Sequence, residues 1–191
     1  VNTFVMIGGY FAIDKVFQAS RLGKLWKQVA FYSILICLLN AVTIGVTRTD
    51  VVKAIFPISA KTYWFASVYM GLLVLMPFVS MVAARMTRRQ YQYLLGALTL
   101  FLSVNHMIFR VDTYGTFSGR ELPWFIYLTL LAGYVKLHTK EDRRYAWYGF
   151  AGYVVSSLAV LASVYLSVKT HQEDIGYFLN YNSPLALLGT L

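Results

Sequence analysis

The sequence predicts an all-α protein that crosses a membrane several times, and three observations lead to this prediction. Hydrophobic residues make up 58% of the 191 residues, charged residues only 13%, and the mean hydropathy is +0.57. Because soluble domains contain about 25% charged residues, this chain is too apolar for a water-soluble fold. Uncharged runs of membrane-spanning length recur along the chain, and the cations between them alternate in number from one connection to the next.

The uncharged runs define the predicted spans. Four of them reach the roughly 20 residues that a spanning helix needs, namely Gln28–Thr47, Thr62–Ala84, Gln90–Phe109 and Tyr145–Val168. A fifth, Leu122–Val135, reaches span length if Lys136 extends its charge to the interface, and a re-entrant segment is the alternative. Val1–Ile13 and Ser183–Leu191 are read as parts of further helices. The prediction is a polytopic transmembrane helix bundle with about six visible spans and the start of another.

The distribution of cations predicts the orientation. Of the 17 Lys and Arg residues, eleven lie in the odd-numbered connections and six in the even-numbered ones. By the positive-inside rule the odd connections are cytoplasmic. The net charge of +9 is then explained by topology, and the dispersed cations argue against nucleic-acid binding. In this orientation Val1–Ile13 runs inward, which predicts a preceding helix. We therefore expect residues 1–191 to be a partial copy of one membrane-embedded domain whose first and last helices are missing.

Residues with reactive side chains are few. Cys37 is the single cysteine, so no disulfide or thiolate metal site is predicted. His106, His138 and His171 lack the spacing of metal ligands, and no metal site is expected. His106, near the outer end of its run, is a weak catalytic candidate for which a structural role is favoured. Asn40, within a span, is predicted to form an interhelical hydrogen bond.

Five segments together carry a family resemblance. In order they are FVMIGGYF, RLGKLWKQ, FPISAKTYWFASVYMGLLVLMPF, LPWFIYLTLLAGYVKL and YNSPLALL. Their order and spacing resemble the acyltransferase-3 family of integral-membrane O-acyltransferases, and more narrowly the exopolysaccharide and capsule O-acetyltransferases of Gram-positive bacteria. The resemblance covers nearly the whole chain, from the family's second helix to the start of its eighth.

The resemblance implies a fold and an activity. By analogy with family members, the complete fold is expected to have about ten helices. The resemblance implies transfer of an acyl group, usually acetyl from acetyl-CoA with succinyl as an alternative, to a hydroxyl of a surface polysaccharide or its lipid-linked precursor. No bound cofactor is implied, and the location would be the bacterial plasma membrane. The expected base is a histidine on the first helix, about eleven positions after a basic residue. That helix would precede Val1, so this fragment alone is expected to be inactive.

The resemblance also suggests residues for the donor. Arg21-Leu-Gly-Lys24 matches the family's Arg-x-x-Arg pattern, and with Lys27 it would bind the phosphates of acyl-CoA. The same charges are also explained by orientation alone. Gly9 and Tyr10 stand where the family has Ser-Gly-Tyr, and the paired glycines would let an acyl chain or a neighbouring helix approach closely.

Candidate acceptor residues lie at the predicted outer ends of two spans. Tyr63 and Trp64 enter one span, and Glu121 and Trp124 enter another. Aromatic faces and a carboxylate would suit a glycan entrance, although aromatic residues also occur at membrane interfaces without binding anything. A non-enzymatic carrier or channel subunit for a lipid or glycan is the alternative function. An enzyme requires a base and a donor site, whereas a carrier requires a continuous polar path.

Overall fold

The computed structural model describes residues 1–15, 18–109, 117–139, 143–170 and 179–190, and their regular secondary structure is helical. The helices are α1 (Asn2–Ala12), α2 (Ala19–Thr43), α3 (Arg48–Ile55), α4 (Trp64–Arg85), α5 (Arg88–Phe109), α6 (Leu122–His138), α7 (Arg143–Lys169) and α8 (Pro184–Leu188). The predicted all-α class is confirmed. The chain forms two compact units, which are residues 16–77 and residues 1–15 with 78–191.

Four helices are long and apolar enough to cross a membrane, and they match the four full-length predicted runs. They are α2, α4, α5 and α7. Helix α2 begins nine residues before the predicted Gln28, so the cations of the preceding connection lie on the helix itself. Lys and Arg side chains are good helix formers, and their stems continue the helix into the interface.

Two of these spans, α2 and α7, are barely buried inside the protein. In the most hydrophobic stretches of α2 and α7 only 11% of residues are buried inside the protein. Exposed residues there include Phe31, Leu38, Val155 and Leu161. Exposure of so large an apolar surface to water would be unfavourable in free energy, whereas lipid chains are as apolar as these side chains and can cover them. The chain is therefore an integral membrane protein.

Helix α6 is the core of the unit formed by residues 1–15 and 78–191. Trp124, Phe125 and Leu128 are each completely buried, and α1 and α5 pack against the helix. A helix that is apolar all round is a buried one. Its 17 residues span about 25 Å, the lower limit for crossing a bilayer. Whether α6 spans or re-enters therefore stays a prediction.

Helix α5 contains one π-helical turn, Leu100–Val104. Ser103, which is completely buried, donates a hydrogen bond from Oγ to the carbonyl oxygen of Asn182 at 2.7 Å. Asn182 in turn donates from Nδ2 to the carbonyl oxygen of Leu102 at 3.3 Å. The wider turn is thus linked to the segment before α8.

Of the residues singled out in the sequence, His171 and Leu191 lie outside the described part.

Candidate functional site

Gly9 is a contact point between α1 and α6. A Cβ atom at this position would lie 3.0 Å from Cα of Thr129 and 3.1 Å from its Cγ2. Both distances are shorter than ordinary van der Waals contact. Thr129 is fixed because it is completely buried and its hydroxyl donates to the carbonyl oxygen of Phe125. Two roles were suggested for the paired glycines, the approach of an acyl chain and the approach of a neighbouring helix. The geometry at Gly9 fits the second.

Tyr10 lies beside a charged pair at the end of the same contact. Lys136 Nζ is 2.6 Å from Asp14 Oδ1 and 5.2 Å from the centroid of the Tyr10 ring. The hydrogen bond from Lys136 lowers the pKa of the Asp14 carboxyl below its ordinary value of 3.8. The ion pair and the cation–π contact fasten the ends of α1 and α6 to each other. Tyr10 is half-buried, so part of its ring stays accessible.

The three cations of α2 form a separate group. Arg21, Lys24 and Lys27 are all exposed, and none forms an ion pair within the described residues. They follow one another at intervals of three within the first turns of the helix. The first turn holds no acidic residue, and Gln18 provides no side-chain cap. The N-terminal end of a helix carries a partial positive charge, so cations there are repelled by the helix dipole. A bound anion would therefore stabilise this group of cations.

Tyr63 and Trp64 are adjacent and half-buried at the start of α4. The Trp64 ring meets Phe65 edge to face with centroids 5.8 Å apart. Tyr63 lines a cavity whose other walls come from α2 and α3. The two aromatic residues are thus placed together, one of them facing an open recess.

Glu121 and Trp124 lie together at the start of α6. Glu121 is the residue before the helix and is half-buried. Trp124 is completely buried, and its Nε1 donates to Asn2 Oδ1 at 3.1 Å. The indole therefore has no face open for stacking on a sugar in this structure. Trp124 holds the start of α6 in place through its packing, while Glu121 is the more accessible member of the pair.

A buried polar network at this end of the unit was not predicted from the sequence. Asn2 is 3% exposed, and its Nδ2 donates to the carbonyl oxygen of Tyr181 at 2.8 Å. Asn2 thereby links α1 to both Trp124 and the segment before α8. An asparagine inside an apolar run is the signal that could have revealed it, because such a residue needs partners. The weak catalytic candidate His106 lies on α5, two residues after the π-helical turn, and is half-buried.

These features define the class of protein as a polytopic helical membrane protein with exposed cations at the start of one span and a polar recess at the other end of that span. The family model Acyl_transf_3, described as an acyltransferase domain, matches residues 1–191. The chain belongs to this acyltransferase family, and the predicted family is confirmed. No curated protein and no solved structure gives a match. Of the two functions that the sequence left open, family membership supports the acyl-transferring enzyme.

Proposed function

We propose that this membrane acyltransferase transfers an acetyl group from acetyl-CoA to a hydroxyl of a cell-surface polysaccharide or its lipid-linked precursor in the bacterial plasma membrane. Succinyl is the alternative acyl group. The carbonyl carbon of the thioester forms a bond to the sugar oxygen, and the carbon–sulfur bond breaks. The hydroxyl proton passes to a general base, and the released thiolate of CoA takes up a proton. Among the described residues, His106 is the weak candidate for this base.

The observation that carries the donor assignment is the group of cations on α2. Arg21, Lys24 and Lys27 place three positive charges at a helix end that is itself positive. CoA carries a pyrophosphate and a further phosphate, which Arg and Lys bind through charge-assisted hydrogen bonds. We place these phosphates at the three cations, on the side that the charge distribution assigns to the cytoplasm. Tyr10 and Gly9 belong to the proposed donor set through their place in the family pattern.

The acceptor assignment uses the opposite ends of the spans. Tyr63 and Trp64 would contact the glycan directly, Glu121 would accept hydrogen bonds from its hydroxyls, and Trp124 would hold the start of α6 in position. The proposed partners are thus the acyl-CoA, the polysaccharide or lipid-linked glycan, and the surrounding lipid.

The double variant Arg21→Ala, Lys24→Ala tests the donor site. We expect the KM for acetyl-CoA to rise about tenfold, since each exposed contact contributes up to about 1 kcal/mol. The assay follows transfer of radiolabelled acetyl from acetyl-CoA to polysaccharide in membranes that contain the full-length protein. The matched control is Arg85→Ala, Arg89→Ala, which removes two exposed cations from the next connection on the same predicted side. An unchanged KM in the first variant, at normal expression, would refute the donor assignment.

A further inference from the structure

A recess with polar and apolar walls opens within the unit of residues 16–77, between α2, α3 and the segment before α4. Its volume is about 290 Å³. The polar residues that line it are Ser33, Asn40, Asp50, Lys53, Thr62 and Tyr63. Pockets for small molecules begin at about 300 Å³, so the space suits a single small ring rather than an extended cofactor.

The recess reaches deep into the predicted membrane. Helix α2 ends at Thr43, on the side with fewer cations. Asn40 lies about one turn below that end and Ser33 about 15 Å below it, at 1.5 Å per residue. Ser33 is only 4% exposed. The wall that α2 contributes, with Asn40 and Ser33 as its polar members, therefore extends from the outer interface to about the middle of a hydrocarbon core some 30 Å thick.

Asn40 lacks the protein partner that the sequence analysis predicted for it. Its side chain forms no hydrogen bond within the described residues. An amide in a span is costly when nothing satisfies it, and polar residues in such positions are commonly functional. Because Asn40 faces the recess, a hydroxylic ligand or water there would supply the missing hydrogen bonds.

The mouth of the recess carries balanced charge. Asp50 Oδ2 accepts hydrogen bonds from the backbone nitrogen and the hydroxyl of Thr47, at 3.0 and 2.6 Å. Lys53, one turn further along α3, is exposed and forms no ion pair within the described chain. One carboxylate and one ammonium group provide an acceptor and donors without net charge. This chemistry matches an uncharged polyol better than the phosphates of CoA.

We propose that this recess binds one sugar ring of the acceptor, with its hydroxyls hydrogen-bonded to Asn40 and the residues at the mouth and its apolar face against Tyr63. The inference rests on the proposed function and deepens it by assigning an acceptor subsite. A donor on the cytoplasmic side and an acceptor outside must meet within the membrane. Because the recess extends inward from the outer interface, a sugar bound there would place a hydroxyl part of the way towards the donor.

Cys37 provides a direct reporter because it also lines the recess. Intact cells expressing the full-length protein are treated with a membrane-impermeant methanethiosulfonate reagent, with Cys37→Ser as the background. We expect labelling of Cys37, and slower labelling in the presence of at least one of glucose, galactose and N-acetylglucosamine. In right-side-out vesicles, acetyl-CoA loaded into the lumen should leave the labelling rate unchanged relative to empty vesicles. Absence of labelling, or labelling that none of these sugars slows, would overturn the assignment.

The variant Asn40→Leu tests the same site by activity. It replaces an unsatisfied amide with an apolar side chain, so stability in detergent should be unchanged or higher. We expect the acceptor KM to rise three- to tenfold while the KM for acetyl-CoA stays constant. Thr43→Val is the matched control, since Thr43 lies one turn away and its hydroxyl bonds to Leu39 outside the recess. Equal acceptor KM values for both variants would overturn the assignment.

The two proposals fail in different ways. Suppose that acetyl transfer is measured while the sugars fail to protect Cys37 and the acceptor KM is unchanged in Asn40→Leu. In that case the acceptor subsite is wrong and the proposed function stands. Protection by sugars without any acetyl transfer would keep the sugar site and refute the proposed activity. Protection by acetyl-CoA would assign the recess to the donor and overturn the inference.

Discussion

Replacing Gly9 with alanine separates close helix packing from ligand binding at the α1–α6 contact. The added Cβ would lie 3.0 Å from Thr129 Cα, 3.1 Å from its Cγ2 and 3.3 Å from its Cβ. The Cα atom cannot rotate away, so the two helices must move apart locally. Overpacking of this kind costs about 1–3 kcal/mol. Alanine also favours the helix by about 1 kcal/mol relative to glycine, which offsets part of that cost.

Gly96→Ala isolates the helix-propensity contribution. Gly96 lies on α5, and a Cβ there would meet nothing within 4 Å. We expect Gly9→Ala to lower the free energy of unfolding by about 1–3 kcal/mol relative to Gly96→Ala. The assay is equilibrium unfolding in mixed micelles with increasing dodecyl sulfate, followed by tryptophan fluorescence. Equal stability of the two variants, together with a raised KM for acetyl-CoA in Gly9→Ala only, would refute the packing argument.

Two further predictions concern the neighbouring contacts. The Asp14–Lys136 pair lowers the pKa of Asp14, so its stabilisation is present above the ordinary value of 3.8 and is lost as the pH falls through the lower folded-state value. The difference in thermal midpoint between the wild type and Asp14→Asn should therefore be constant down to about pH 4 and shrink below it; a difference that grows on acidification would contradict this. Trp124→Phe leaves the buried Asn2 Oδ1 without its indole donor and should cost about 1–3 kcal/mol in the same micelle titration. Unchanged stability would show that the bond is dispensable.

The helical class and the four long spans followed from the sequence because a run of 20 or more uncharged residues has few other structures open to it in lipid. The start of α2 did not follow, since charge marks where a span leaves the hydrocarbon and not where its helix begins. The grouping of Arg21, Lys24 and Lys27 was predicted from their spacing, whereas their position within α2 itself was found in the structure.

The candidate site was less predictable because its contacts join distant parts of the chain. Trp124 was predicted to border a glycan entrance, yet its indole donates a hydrogen bond to Asn2, 122 positions away. Asn40 was expected to bond to another helix and instead faces a recess. Single-residue patterns report polarity and depth, but the identity of a partner depends on which helices pack together.

The π-helical turn of α5 sets the angular position of His106. Each residue advances an α-helix by about 100°, so one residue accommodated in a wider turn rotates everything after it by that amount. A regular α-helix through the same residues would place His106 about a quarter of the way around the helix from its present position. The direction in which this histidine points is thus set by the width of one turn. A substitution that converts Leu100–Val104 to regular α-helix would reorient His106, whereas deletion of the extra residue together with the wide turn would keep its orientation.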